Sequence, residues 1–269
     1  MKPLFNPSIE INTRELCHWV FYAGKIALHY FDRIKLYPHS PDENPAGQAD
    51  REIEQYLARQ LQISYPDYCV IGEEHGPFKD NAATKMIWTI DPLDGTTVFN
   101  QGMPEWGIAI GLLMYGRPVF GMFYMPATQE MYYTGRDGHV CDIFGRSLLW
   151  SVRQNWGHKG FVATTASAHA NYHLNIPRTR APGSVGVNLV YAARGTAAAA
   201  FLPKPCLWDL VPGAALLAPA GGVVRYLSGH PLDYTALLNG QSSPEPVLAG
   251  SSSLLDELQS KISSRTENF

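Results

Sequence analysis

No run of the chain approaches the roughly 20 consecutive apolar residues that a membrane-spanning helix needs, although 45% of its 269 residues are hydrophobic. That apolar content is assigned to a core, and no membrane partner is expected. Cysteine is scarce and scattered. Cys17, Cys69, Cys141 and Cys206 include no Cys-x-x-Cys pair, which argues against a disulfide framework and for reduced core thiols. Charge is thin as well: charged residues make up 17% of the chain and sum to a net −3, leaving no basic footprint for duplex nucleic acid. Residues 1–7 carry no apolar signal region, so the cytoplasm is the expected location.

Several catalytic signatures are missing too. There is no Gly-x-Gly-x-x-Gly and no Gly-x-x-x-x-Gly-Lys, which speaks against dinucleotide and P-loop chemistry. Gly183-Ser184-Val185-Gly186 falls short of Gly-x-Ser-x-Gly, so a nucleophilic serine has little support. His169 and His173 stand one helical turn apart, but no glutamate follows His169 as in a zinc metalloprotease, and Asn171 and Pro177 suggest a loop.

What is present centres on Ile90-Asp91-Pro92-Leu93-Asp94-Gly95-Thr96-Thr97. It follows residues 86–90, a short apolar run that reads as a buried strand. Pro92 tightens the chain between Asp91 and Asp94, so the two carboxylates can aim into one space. Gly95 permits close backbone approach, and the next amides, with the Thr96 hydroxyl, can receive an anion. Acids crowded beside such a turn call for cations between them. A phosphate bridged to divalent metals satisfies every group. More acids stand in telling places: Glu73 and Glu74 end the apolar run Cys69-Val70-Ile71, Asp209 follows Trp208 at the head of a small-residue segment, and Asp50 heads a helix.

The remaining pattern supplies a frame. Residues 12–35 read as a helix, with Asn12 and Glu15 in capping-box spacing and Leu16, Trp19, Val20, Ala23, Ile26, Ala27, Tyr30 and Phe31 on its apolar stripe. Residues 36–48, holding Pro38, Pro41, Pro45 and Gly47, read as a loop. Asp50 then caps or opens a helix carrying Ile53, Leu57 and Leu61. Residues 106–134 read as an antiparallel meander. The second half alternates strands near 161–165, 197–202, 223–227 and 246–249 with helices near 187–193, from Asp209, and over 253–262. The expected division is one lobe over residues 1–150 and another over 151–269, meeting near 150–159.

In order and spacing, Gly72-Glu73-Glu74, Asp91-Pro92-Leu93-Asp94-Gly95-Thr96 and Trp208-Asp209 resemble the inositol monophosphatase family of magnesium-dependent, lithium-sensitive phosphatases, over about residues 12–262. The resemblance implies an α/β (α+β) fold, a layered α-β-α-β-α sandwich of the sugar phosphatase type. It implies hydrolysis of a small phosphorylated metabolite, a sugar or polyol phosphate monoester, by a metal-activated water. Two to three Mg2+ ions are implied: one on Glu73, Asp91 and the Leu93 carbonyl, a second on Asp91, Asp94 and Asp209, and a third leaning on Glu73 and water. Li+ would inhibit. By the same match, Asp50 pairs with Thr96 to position and deprotonate the water with help from Glu73. The Gly95 and Thr96 amides hold the phosphate, Ser184, Val185, Asn188 and Leu202 belong to the substrate pocket, and the protein is a homodimer.

Departures from the family pattern at Gly47, Val98 and Gln101 touch no metal ligand. Leu202 is different. It stands where inositol-specific members carry a glutamate that binds substrate hydroxyls, and leucine cannot accept those bonds. A 3'(2'),5'-bisphosphate nucleotide or histidinol phosphate are therefore alternative substrates, and a non-catalytic metal-binding partner subunit is the alternative of another class.

Overall fold

The computed structural model describes residues 11–36, 44–77 and 85–265. Two helices open it, α1 (Thr13–Leu36) and α2 (Pro45–Ser64). Asn12 caps α1 by accepting the Glu15 amide at 3.3 Å, satisfying one of the N–H groups that a helix start leaves unbonded. The loop expected over 36–48 is corrected at its far end. Asn44 caps α2 through the Gly47 amide at 3.0 Å, and Pro45 takes the first helical position, where a missing N–H leaves no bond unmade. Pro45 to Gln48 are thus helical, while 37–43 lie outside the described residues. Asp50 consequently sits in the second turn of α2, buried, and not at its head.

A large sheet follows: β1 (Cys69–Gly72), β2 (Gly76–Pro77), β3 (Met86–Asp94), β4 (Gly107–Met114), β5 (Arg117–Met125), β6 (Glu130–Thr134), β7 (Val140–Asp142) and β8 (Ser147–Leu148). Its order is β2-β1-β3-β4-β5-β6-β7-β8, antiparallel except where β1 runs parallel to β3. The meander expected over 106–134 is its centre. Trp88, Ile90, Ile108, Ile110, Leu112 and Phe120 face α1 and α2, meeting Leu16, Val20, Phe31, Ile53 and Leu57. Ala109, Leu113 and Phe123 face the other way, as the two-residue period of a strand requires.

The second half adds β9 (Val162–Thr164), β10 (Tyr172–Leu174), β11 (Thr179–Arg180), β12 (Ala199–Leu202), β13 (Val223–Tyr226), β14 (Val247–Gly250) and β15 (Ile262–Ser264). The short α3 (Thr96–Asn100) joins β3 to β4 of the large sheet, and the second half carries α4 (Ala168–Asn171), α5 (Val185–Ala193), α6 (Leu207–Leu217) and α7 (Ser252–Gln259). Strands order as β11-β9-β12-β14-β13, with β10 and β15 paired apart. Helices α5 and α6 lie between the sheets. Val187, Val190 and Leu216 meet Ala109 and Phe123 of the large sheet, and Leu189, Leu210 and Val211 meet Ala200, Leu202, Val247 and Ala249 of the small one. The small sheet's outer residues, Val162, Ala199, Phe201 and Leu248, pack under Leu255 and Leu258 of α7. The layers run α-β-α-β-α, as expected. Two local expectations are corrected: the helix over 253–262 stops at Gln259, leaving Ile262 on a strand, and His169 and His173 fall on α4 and β10, where His169 Nε2 faces Thr179 Oγ1 at 3.2 Å.

One packing detail positions everything that follows. α6 crosses the large sheet over two glycines. A Cβ on Gly121 would stand 2.0 Å from the Pro212 carbonyl oxygen, and one on Gly111 would stand 2.6 Å from Val211. Backbone laid so closely on strands brings the first turn of α6, which carries Asp209, against β3.

Candidate metal centre

Strand β3 does not end at Ile90 but continues through Asp94. Along a regular strand, side chains three apart point to opposite faces. Asp91 and Asp94 escape that rule because the register with β4 slips between them: Asp91 pairs with Ala109 and Asp94 with Gly107. Three steps on β3 thus match two on β4, which is a bulge. Pro92 suits a bulge since it has no N–H for the ladder, and the Leu93 amide donates to Asp91 Oδ1 at 3.1 Å. The expected turn is therefore a bulge inside a strand, and it delivers both acids to the face covered by α5 and α6.

Asp209 supplies the third carboxylate. One of its oxygens accepts the Cys206 amide at 2.6 Å, capping α6. Ligand oxygens of Asp91, Asp94 and Asp209 all lie within 4.8 Å of one another. Asp94 is held from the other side by the start of α5, accepting from the Ser184 hydroxyl at 2.6 Å, the Val185 amide at 2.9 Å and the Gly186 amide. A Cβ on Gly186 would stand 2.6 Å from that carboxylate, so only glycine lets the helix start close on it. Ser184, expected to line a substrate pocket, is buried and spent on Asp94.

Burial pushes every one of these acids up. Asp209 rises to about 8 through burial and then the Asp94 charge, Asp94 rises through burial, and Asp91 rises through burial and then Glu73, Asp94 and Asp209. Glu73 leaves part of its side chain at the surface, but its carboxyl end turns inward, where burial lifts it to about 7. Asp91 lies within hydrogen-bonding reach of both Glu73 and Asp209. Carboxyls in such contact hold either a proton or a cation between them. All donors are hard oxygens, the set that suits hard divalent cations such as magnesium, calcium or manganese. The residues present fit a divalent cation.

The Thr96 hydroxyl donates to the Leu93 carbonyl at 3.1 Å, the local back-bond available to a hydroxyl three residues on, and it forms no hydrogen bond with Asp50. The Asp50 carboxyl is lifted to about 8 by burial and then by Glu73, Glu74 and Glu54. Gly95, in the left-handed region with φ 97°, opens α3, and Gly95 and Thr96 both reach the surface. Val185 and Leu202 line a cavity of about 220 Å³. Asn188 is wholly buried, with neither side-chain amide atom bonded within the protein.

Glu54 is a residue the sequence reading missed. It is fully buried, one turn beyond Asp50 on α2. Its Oε2 accepts the Glu74 amide at 2.8 Å, and its Oε1 accepts the His75 amide at 2.9 Å and meets His75 Nδ1 at 2.8 Å. Gly72 must be glycine beneath it, since a Cβ there would stand 2.3 Å from Glu54 Cδ. Glu54 thereby fixes the turn that presents Glu73. The signal available in the sequence was the helical spacing from Asp50.

A five-layer α/β body whose middle helices bring carboxylates to a bulged strand has the build of the metal-dependent sugar phosphatases. The model of the inositol monophosphatase family matches residues 12–252, and the chain belongs to that family of metal-dependent enzymes that hydrolyse phosphate monoesters. It is 30% identical over 220 residues to the Nus factor SuhB of Xylella fastidiosa, covering 77% of this chain and 78% of that one. To the fructose-1,6-bisphosphatase/inositol-1-monophosphatase of Aquifex aeolicus it is 28% identical over 236 residues, covering 82% and 87%. The crystal structure of the extragenic suppressor protein SuhB from Bartonella henselae shares its fold, with a TM-score of 0.75 at 20% identity over 93% of this chain and 97% of that one.

Proposed function

We propose that the protein hydrolyses a small phosphate monoester with Mg2+, and that Glu73, Asp91, Asp94, Asp209 and the Leu93 carbonyl are the groups that hold two to three ions. The convergence of Asp91, Asp94 and Asp209 oxygens within 4.8 Å carries the reading. Divalent cations bound there supply charge for the phosphate and the leaving oxygen and acidify a water. The chain's own residues do the rest. Asp91 faces acids on both sides and bridges the two halves of the centre. Asp50 and Thr96 position and deprotonate the attacking water, and Glu73, whose carboxyl turns inward beside Asp91, helps orient it. The Gly95 and Thr96 amides, at the surface beside Asp94, receive the phosphate.

Li+ inhibits on this reading, the assembly is a homodimer in the cytoplasm, and residues 150–159 separate the lobes between β8 and β9. Among the described residues no helix is long and apolar enough to cross a membrane. A complete set of acids favours an enzyme over a non-catalytic partner subunit. The test is phosphate release from a panel of phosphorylated metabolites with Mg2+ and with chelator. Release is expected with Mg2+ alone, and Asp91→Asn is expected to lower it by at least roughly a hundredfold, the scale reached when a group acting only on the transition state is removed. Wild-type turnover in that variant would refute the assignment.

A further inference from the structure

At its outer edge the large sheet is unguarded. β8 is the last strand, and nothing pairs beyond it among the described residues. Sheet edges are commonly blunted by a charge or a proline, yet Ser147-Leu148-Leu149-Trp150 carries neither. Leu149 is 92% exposed, and Phe144, in the turn before β8, is 77% exposed. No other large hydrophobic residue among those described stands so far into solvent. Strand alternation sends Leu148 and Trp150 to one face of the edge and Leu149 to the other. On the first face Leu148 and Trp150 line a groove of about 500 Å³ with Met131, Tyr132 and Phe144.

Charge decides what fits here. Glu130, Asp142, Arg146 and Arg194 stand round the groove, already paired as Arg146–Asp142 at 2.6 Å and Arg194–Glu130 at 3.2 Å. A small ion therefore meets charges that are already spent, and a strongly acidic or basic partner meets no field of opposite sign. A balanced rim suits a copy of itself, because a twofold axis can set each sign against the other. We infer that two copies of this chain meet edge to edge at residues 147–150, antiparallel about a twofold axis. The two large sheets then continue into one another, and each Leu149 packs against its counterpart across the strands. This contact is independent of the phosphatase reading.

Leu149 is the residue to change, since its exposure keeps it out of the core of a single copy. The wild-type chain is expected to associate reversibly in sedimentation velocity at concentrations up to about 100 µM. Leu149→Lys and Leu149→Glu should each weaken that association step at least roughly thirtyfold, the scale of one interface hot spot. At a twofold each new charge faces its own kind. Mixing the two variants should restore the step between unlike copies, because opposite charges then face each other. A wild type that stays a single chain, or a mixture that associates no more tightly than its parts, overturns the pairing. A dimer unchanged in both variants also overturns it, and leaves the homodimer proposed above to another surface.

Discussion

A carboxylate with no exposed surface is tolerated only with its oxygens bonded, and Glu54 shows how such a residue is put to use. Its three contacts with Glu74 and His75 hold the turn that follows β1, so Glu73 is presented from a fixed backbone. In Glu54→Gln one oxygen becomes an NH2 group facing N–H donors. The expected loss is about 2 kcal/mol of stability, typical of a hydrogen bond to a charged group, read from urea unfolding. The half-saturating Mg2+ concentration for phosphate release should rise along with it. Equal stability loss with an unmoved Mg2+ midpoint would show that Glu54 supports the fold and not the centre. At this scale the sequence was legible where chemistry restricts residue type: Asp91, Asp94 and Asp209 converge as expected. Glu54 was overlooked despite its helical spacing from Asp50, because a lone glutamate on a helix reads as solvated. Asp50 was misplaced because Pro45 and Gly47 look like loop residues until Asn44 is seen capping them.

Among the elements, α6 bears on the centre most directly, since its packing depth decides where Asp209 stands. That depth is set by glycines on β4 and β5, and Gly121 is the tighter, with the Pro212 carbonyl where a methyl would go. A backbone atom cannot rotate away as a side chain can. Gly121→Ala is therefore expected to cost about 1–3 kcal/mol, the range for overpacking, and to lower kcat as the helix lifts and carries Asp209 from Asp91. Differential scanning calorimetry and phosphate release check the two halves. Stability loss with kcat intact would mean that α6 yields at its far end instead. The meander, α1 and the alternation of the second half were readable from periodicity, since each buries a regular stripe. The bulge in β3 was not, because Asp-Pro-x-Asp-Gly has the composition of a turn, and only the register with β4 reveals that the strand continues.

Across the whole molecule the acids gathered from α2, β1, β3 and α6 tie folding to both protons and metal. In the unfolded chain carboxyls titrate near 4. In the fold Asp50 and Asp209 are lifted to about 8 and Glu73 to about 7. Between those limits the native state binds more protons than the unfolded chain, so stability falls as pH rises. The contribution is fully present below about pH 4 and gone once pH passes the folded values. In chelator, Tm should therefore fall from pH 5 toward pH 9. Mg2+ binds only the assembled centre and stabilises it by mass action. It also competes with the protons there, so its effect on Tm should grow with pH, being small near pH 5 and largest near pH 8 to 9. Thermal melts across that range, with and without Mg2+, decide the matter. A Mg2+ shift of constant size at every pH would mean that the cation binds away from these acids, and no shift at any pH would mean that the cluster holds its protons instead of metal.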